Sequence, residues 1–148
     1  MVRSLVGKHP NYYEAILQLR DVSDEVVHFV KEDIKKYRVP VTKIAKTING
    51  TDYYLADNQY ARALGKRLQQ YFGGQTIITA SLHTQIDGKD KYRVTVLFRG
   101  VPFKKGDKVF YQDDQYEIKA MGKDIFMLGK KKVHIRYKDI KQIKLVEE

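Results

Sequence analysis

Lys43-Ile44-Ala45-Lys46-Thr47-Ile48-Asn49-Gly50-Thr51-Asp52-Tyr53-Tyr54-Leu55 sets the plan of the first hundred residues. Two strand-like runs, Lys43 to Ile48 and Thr51 to Leu55, flank Asn49-Gly50. That pair is preferred in a type I′ hairpin turn, because both central positions take positive φ. Neighbouring strand residues face opposite sides of a sheet, so one of Tyr53 and Tyr54 must point away from whichever face is buried.

Upstream of the hairpin, Tyr12 to Arg20 reads as a strand with Tyr13, Ala15, Leu17 and Leu19 on one face. A helix is expected next, with Ser23 as N-cap and Asp24 and Glu25 in its first turn. Val26, Val27, Val30, Ile34 and Tyr37 form its apolar stripe, and Pro40 stops it. Downstream, a second helix runs from a cap at Asp57 to about Phe72, with Tyr60, Ala61, Leu64, Leu68 and Tyr71 facing inward. Gly73-Gly74 supplies its left-handed exit. Strands from Gln75 to Gln85 and Lys91 to Phe98 bracket a turn at Asp87-Gly88. In the second of them Tyr92, Val94, Val96 and Phe98 alternate with Lys91, Arg93 and Thr95, so one face is buried and one wet. Residues 1–98 therefore read β-α-β-β-α-β-β, an α+β sandwich with two helices on one face of a mostly antiparallel sheet.

Residues 99–148 follow another plan. Short strands are expected at Lys108 to Tyr111, Gln115 to Met121, Asp124 to Leu128, Lys132 to Tyr137 and Gln142 to Val146, with a 3₁₀ turn near Tyr137 to Ile140. Turns fall at Asp113-Asp114, Gly122-Lys123 and Gly129-Lys130. Five short strands in so few residues fit a small all-β SH3-like barrel, whose closure removes exposed strand edges.

Charge narrows the partners. Twenty-eight lysines and arginines oppose eighteen acidic residues, a formal charge of +10. Such a field attracts nucleic acid, an anionic membrane surface or an acidic protein; its plainest role is to keep a small domain soluble. No apolar run reaches the roughly 20 residues needed to span a bilayer, and Met1 to Pro10 lacks the apolar core of a secretion signal, so a cytoplasmic location is expected. The absence of cysteine excludes disulfides and thiolate metal sites.

Catalytic chemistry is hard to assemble. His9, His28, His83 and His134 have no second ligand at metal-like spacing, and the common nucleophile, zinc, phosphate-loop and dinucleotide motifs are missing. The pairs Asp87/Asp90 and Asp113/Asp114 sit at expected hairpin tips, where aspartate is ordinary turn chemistry. The chain reads as neither an enzyme nor a cofactor binder. Its cations, by contrast, cluster. Lys35, Lys36 and Arg38 end the first helix, and Lys43 lies on the next strand. Arg62, Lys66 and Arg67 share part of the second helix, and Lys104, Lys105, Lys130, Lys131 and Lys132 lie in loops of the C-terminal unit. Each cluster alone is an ordinary solvated face; together they form the charge footprint of an RNA-binding protein. Eleven tyrosines add rings that fill the core or, where exposed beside lysines, can stack on unpaired bases.

Tyr12-Tyr13-Glu14-Ala15-Ile16-Leu17-Gln18-Leu19-Arg20, Thr51-Asp52-Tyr53-Tyr54-Leu55, Ala61-Arg62-Ala63-Leu64-Gly65, Phe72-Gly73 and Phe103-Lys104-Lys105-Gly106-Asp107-Lys108-Val109 carry a family resemblance in their order and spacing. From Asn11 to about Val146 the chain resembles archaeal relatives of the eukaryotic adaptor that exports the large ribosomal subunit, the nonsense-mediated decay protein 3 family. The resemblance implies a large-subunit-binding protein, with an α+β domain similar to a small ribosomal protein and a barrel similar to translation initiation factor 5A. The sequence departs from the family in lacking the paired C-x-x-C zinc modules, as a fragment or a shortened version would. Lys104-Lys105-Gly106 does not reproduce the modified-lysine loop of the initiation factor.

Three readings follow. The first is a non-enzymatic factor of subunit assembly or quality control, binding the large ribosomal subunit or its ribosomal RNA, with ribosomal proteins as further partners. Its phosphate contacts would be the twelve cations just named. The second is a protein–protein adaptor whose basic surface docks an acidic partner. The third is a metal-dependent nuclease built on Asp87, Asp90, Asp113, Asp114 or Asp124.

Overall fold

The computed structural model describes residues 12–146 except Asp87, with the backbone alone at 84–86, 89 and 90. The N-terminal half runs β1 (Ala15–Arg20), α1 (Asp24–Lys36), β2 (Val41–Thr47), β3 (Gly50–Leu55), α2 (Asn58–Phe72), β4 (Gln75–Ile86) and β5 (Lys89–Arg99). These strands form one sheet in the order β2-β3-β1-β5-β4. Every pairing is antiparallel except β1 with β5.

Strand alternation explains where the core lies. Ala15, Leu17 and Leu19 of β1 are fully buried, and the register sets them beside Leu55 and Tyr53 on one side and Val94, Val96 and Phe98 on the other. Both helices cover this face, α1 through Val26, Val30 and Ile34 and α2 through Tyr60, Ala61, Leu64 and Leu68. Fully burying one such leucine stabilises the fold by about 1.5–3 kcal/mol. The caps match expectation: Ser23 Oγ accepts from the Val26 N–H at 3.4 Å and Asp57 Oδ1 from the Tyr60 N–H at 3.0 Å. Gly73, at φ +70°, ends α2 in a conformation that side chains resist.

Several local expectations are corrected. The β2–β3 turn is Ile48-Asn49, with Thr47 paired to Gly50, and neither Asn49 nor Gly50 has positive φ. Gly50 serves a different need, because a Cβ there would lie 1.8 Å from the Leu19 carbonyl oxygen of the neighbouring β1. The left-handed pair occurs instead at Gln112-Asp113 (φ +49° and +67°). Tyr13, expected inside, stacks edge-on against Tyr54 with ring centroids 4.9 Å apart, on the sheet face without helices. The strand begins only at Ala15; just before it, buried Glu14 accepts hydrogen bonds from the Asn58 backbone N–H and side-chain amide at 3.1 and 3.2 Å. Tyr71 and Tyr92, also expected inside, are exposed. Tyr71 sits in the last turn of α2, and Tyr92 on a β4–β5 ribbon that outruns β1.

The C-terminal half comprises β6 (Lys108–Tyr111), β7 (Asp114–Met121), β8 (Ile125–Leu128), β9 (Lys132–Ile135), a 3₁₀ turn (Tyr137–Gln142) and β10 (Lys144–Leu145). They make a second five-stranded sheet, β10-β6-β7-β8-β9, antiparallel throughout. Its own core gathers Phe103, Val109, Tyr116, Ile118, Ile125, Met127, Ile135, Tyr137 and Ile143. The Tyr137 hydroxyl lies 2.7 Å from the Gly74 carbonyl and 2.9 Å from that of Gly122, and Gln69 Nε2 donates to the same two oxygens at 2.9 Å each. The end of α2, the start of β4 and the β7–β8 turn are thereby clamped at one point.

Candidate nucleic-acid interface

Aromatic contacts show that α1 and α2 pack antiparallel. Phe29 meets Tyr71 and Phe72 edge-on at 5.6 and 5.5 Å, whereas Tyr37, just past α1, lies 6.0 Å from Tyr60 near the start of α2. Between these ends sits Asp33, buried on α1. Arg67 of α2 grips it with both nitrogens, Nη1 to Oδ1 at 2.8 Å and Nη2 to Oδ2 at 2.9 Å, and the Tyr60 hydroxyl donates to Oδ2. The hydrogen bond to Asp33 raises the Arg67 pKa. Burial, then Asp33, pushes the Tyr60 phenol far above its usual range. A carboxylate can lie this deep only because a cation and a hydroxyl both satisfy it.

The same arrangement gathers cations along the helix seam. The Arg67 guanidinium lies 5.5 Å from the Tyr37 ring centre, and Lys36 Nζ lies 5.4 Å from that centre. One half-exposed ring thus joins the end of α1 to the middle of α2. Lys35 and Arg38 are exposed beside it, Arg38 at φ +54°. Arg62 and Lys66, one turn apart, are exposed on α2. At the opposite end of the seam a cleft of about 370 Å³ opens where α2 meets the second sheet. Lys104 and Lys105 line it with Glu25 and Gln69 to Gly73. Their turn is held by Asp107, whose carboxylate accepts from the Lys104 N–H at 2.8 Å.

Not every expected contact converges here. Arg67, expected as a phosphate contact, has its charge already matched by Asp33. Lys43 pairs with Tyr54 and therefore lies on the opposite, uncovered face of the first sheet. There its Nζ is 5.2 Å from the Tyr54 ring centre, Tyr54 meets Tyr13, and the Arg93 guanidinium lies 3.9 Å from the Tyr13 ring centre. Arg93 was not among the expected residues, although its place in the wet register of β5 was visible from strand alternation. Lys130, Lys131 and Lys132 lie at the β8–β9 turn, with Lys130 Nζ 3.3 Å from Asp114 Oδ1. The twelve cations thus occupy a helix seam with its cleft, one site on the far sheet face, and one hairpin end.

Asp113 and Asp114 face no shared ion-binding point. Asp113 sits in the β6–β7 turn and Asp114 faces Lys130; Asp87 and the Asp90 side chain lie outside the described residues. Asp124 pairs with His134 at 3.2 Å, and that ring stacks on Phe126. His9 lies outside the described residues. Among the described residues no three histidine, aspartate or glutamate side chains gather to hold an ion, and no helix is long and apolar enough to cross a membrane.

These features define a basic α+β protein in which a helix pair above a mixed sheet carries one of several groups of cations. The family model described as "NMD3, second domain" matches residues 12–99, more than half of the chain, and the match ends on the last residue of β5. The chain belongs to the NMD3 family, a ribosome-related family of export adaptors. No curated protein sequence matches it.

Proposed function

We propose that this protein is a non-enzymatic factor that binds the large ribosomal subunit through its ribosomal RNA, acting in subunit assembly or quality control. The observation that carries the reading is the cluster around Tyr37, where Lys36 lies beside the ring and Lys35, Arg38, Arg62 and Lys66 are exposed, with Lys104 and Lys105 at the far end of the seam. An RNA backbone lying along two antiparallel helices would meet cations at both ends. Lys43 and Arg93, and Lys130 to Lys132, lie off this track and would touch RNA only where it wraps the molecule. Family membership supports the choice of the large subunit over other polyanions.

Two structural details belong to the same reading. The chain divides into units of residues 1–98 and 99–148, a division supported by two separate apolar cores. The second unit is an SH3-like barrel, supported by the return of β10 to pair with β6. A cytoplasmic place of action belongs to the same reading.

The test is binding to purified large subunits across a salt series. A log–log plot should slope by about −0.7 to −0.9 per phosphate engaged. Replacing Lys35, Lys36, Lys66, Lys104 and Lys105 by alanine should flatten the slope, whereas Lys43→Ala should leave it unchanged. Binding that ignores salt would defeat the reading, and a pull-down from extract that survives nuclease digestion would instead favour docking on an acidic protein.

A further inference from the structure

The cleft at the end of the helix seam has a chemistry that bare phosphate binding does not explain. Its wall carries Tyr71, 60% exposed although it follows the apolar stripe of α2. Phe29 packs edge-on against one side of the ring at 5.6 Å. Lys104 and Lys105 stand at the cleft on a turn held by Asp107. Glu25, from the first turn of α1, lines the same space. The clamp formed by Gln69 and Tyr137 on the Gly74 and Gly122 carbonyls keeps the two sides of the cleft in register.

Each constituent selects part of a ligand. Two ammonium groups suit a phosphodiester, and an aromatic face suits a base. A carboxylate within the same space disfavours a compact dianion but accepts hydrogen bonds from a ribose hydroxyl or a base N–H. A volume of about 370 Å³ falls within the range of small-molecule sites. We propose that this cleft is a subsite for one unpaired nucleotide of the bound RNA, its base stacked on Tyr71, its phosphate on Lys104 and Lys105, and its sugar or base edge on Glu25. The proposal rests on the RNA-binding reading above and adds that the protein distinguishes a splayed-out nucleotide from a continuous duplex.

Fluorescence anisotropy with the full chain tests it, using a single-stranded RNA of about ten nucleotides and a duplex of equal length at the same salt. Tyr71→Ala should weaken single-strand binding by about 5- to 150-fold, the usual effect of losing one base–aromatic stack, and leave duplex binding unchanged. Tyr71→Phe should restore it, because the ring and not the hydroxyl carries the stack. The dinucleotide adenylyl-adenosine, whose phosphodiester carries a single charge, but not inorganic phosphate at equal concentration, should compete with the single strand. An equal loss on both RNAs, or no loss with Tyr71→Ala while the seam lysine variants still lose large-subunit binding, would overturn the subsite and leave the RNA reading standing. Absence of salt-dependent binding to any RNA or subunit would overturn both. Circular dichroism of each variant identifies any loss that comes from unfolding.

Discussion

Asp33 shows how one buried carboxylate organises this molecule. Arg67 and Tyr60 reach it from α2, so the ion pair both joins the helices and places a cation over Tyr37. Removing one partner leaves the other charge without compensation. Arg67→Ala should therefore cost about 2–4 kcal/mol in urea unfolding, less than for a fully enclosed pair because the guanidinium retains some contact with water. Arg67→Lys should recover little, since an ammonium cannot copy the two-pronged geometry. The seam also predicts a pH dependence. Tyr60, Tyr53 and Tyr137 all have phenols raised above their ordinary value of about 10, by burial first in each case. The folded state holds these groups neutral, so their contribution is fully present below about pH 10 and declines as pH rises past it. A stability profile from pH 8 to 12 should fall along its alkaline limb, and Tyr60→Phe should flatten that limb.

At the scale of elements, close approach matters more than intrinsic turn preference. Gly50 lies against the Leu19 carbonyl of β1, where a methyl group has no room. Gly50→Ala should part β3 from β1 and cost about 3 kcal/mol or more, seen as a lowered thermal midpoint and loss of amide protection in both strands. The clamp between the sheets admits a gentler test. Tyr137→Phe removes one buried hydroxyl that two carbonyls share, while Gln69 continues to satisfy both. It should cost about 1 kcal/mol, and hydrogen exchange should quicken at Gly74 and Gly122 more than within either core. The caps, helices and inward strand faces were legible beforehand, because each depends on residues adjacent in sequence. The turn at Ile48-Asn49 was not, because its register is set by β1, some thirty residues away. Tyr13 and Tyr71 were misjudged for the same kind of reason. Periodicity assigns a side chain to a face, but it does not say where the partner strand ends or where a helix runs past its neighbour.

For the whole molecule, the sum of charge and its placement are separate quantities. A charge of +10 predicts attraction to RNA from any direction; the helix seam predicts a preferred side. Lys36→Glu should weaken large-subunit binding by at least tenfold at physiological salt, while Lys43→Glu, the same change of charge on the opposite sheet face, should change it less than threefold. Equal effects from both would show that total charge and not the seam governs binding. Which residues are cationic, which segments become helix or strand, and which family frame the chain follows are properties of local order, since propensity, capping and periodicity act over a few neighbours. Which cations meet is not local. Asp33 and Arg67 are brought together across thirty-four positions, Lys104 reaches the end of α2 through the packing of a second sheet, and Lys43 is carried to the far side by one step of strand register. Those outcomes depend on how buried surfaces fit in three dimensions, and residue spacing along a chain does not contain that information.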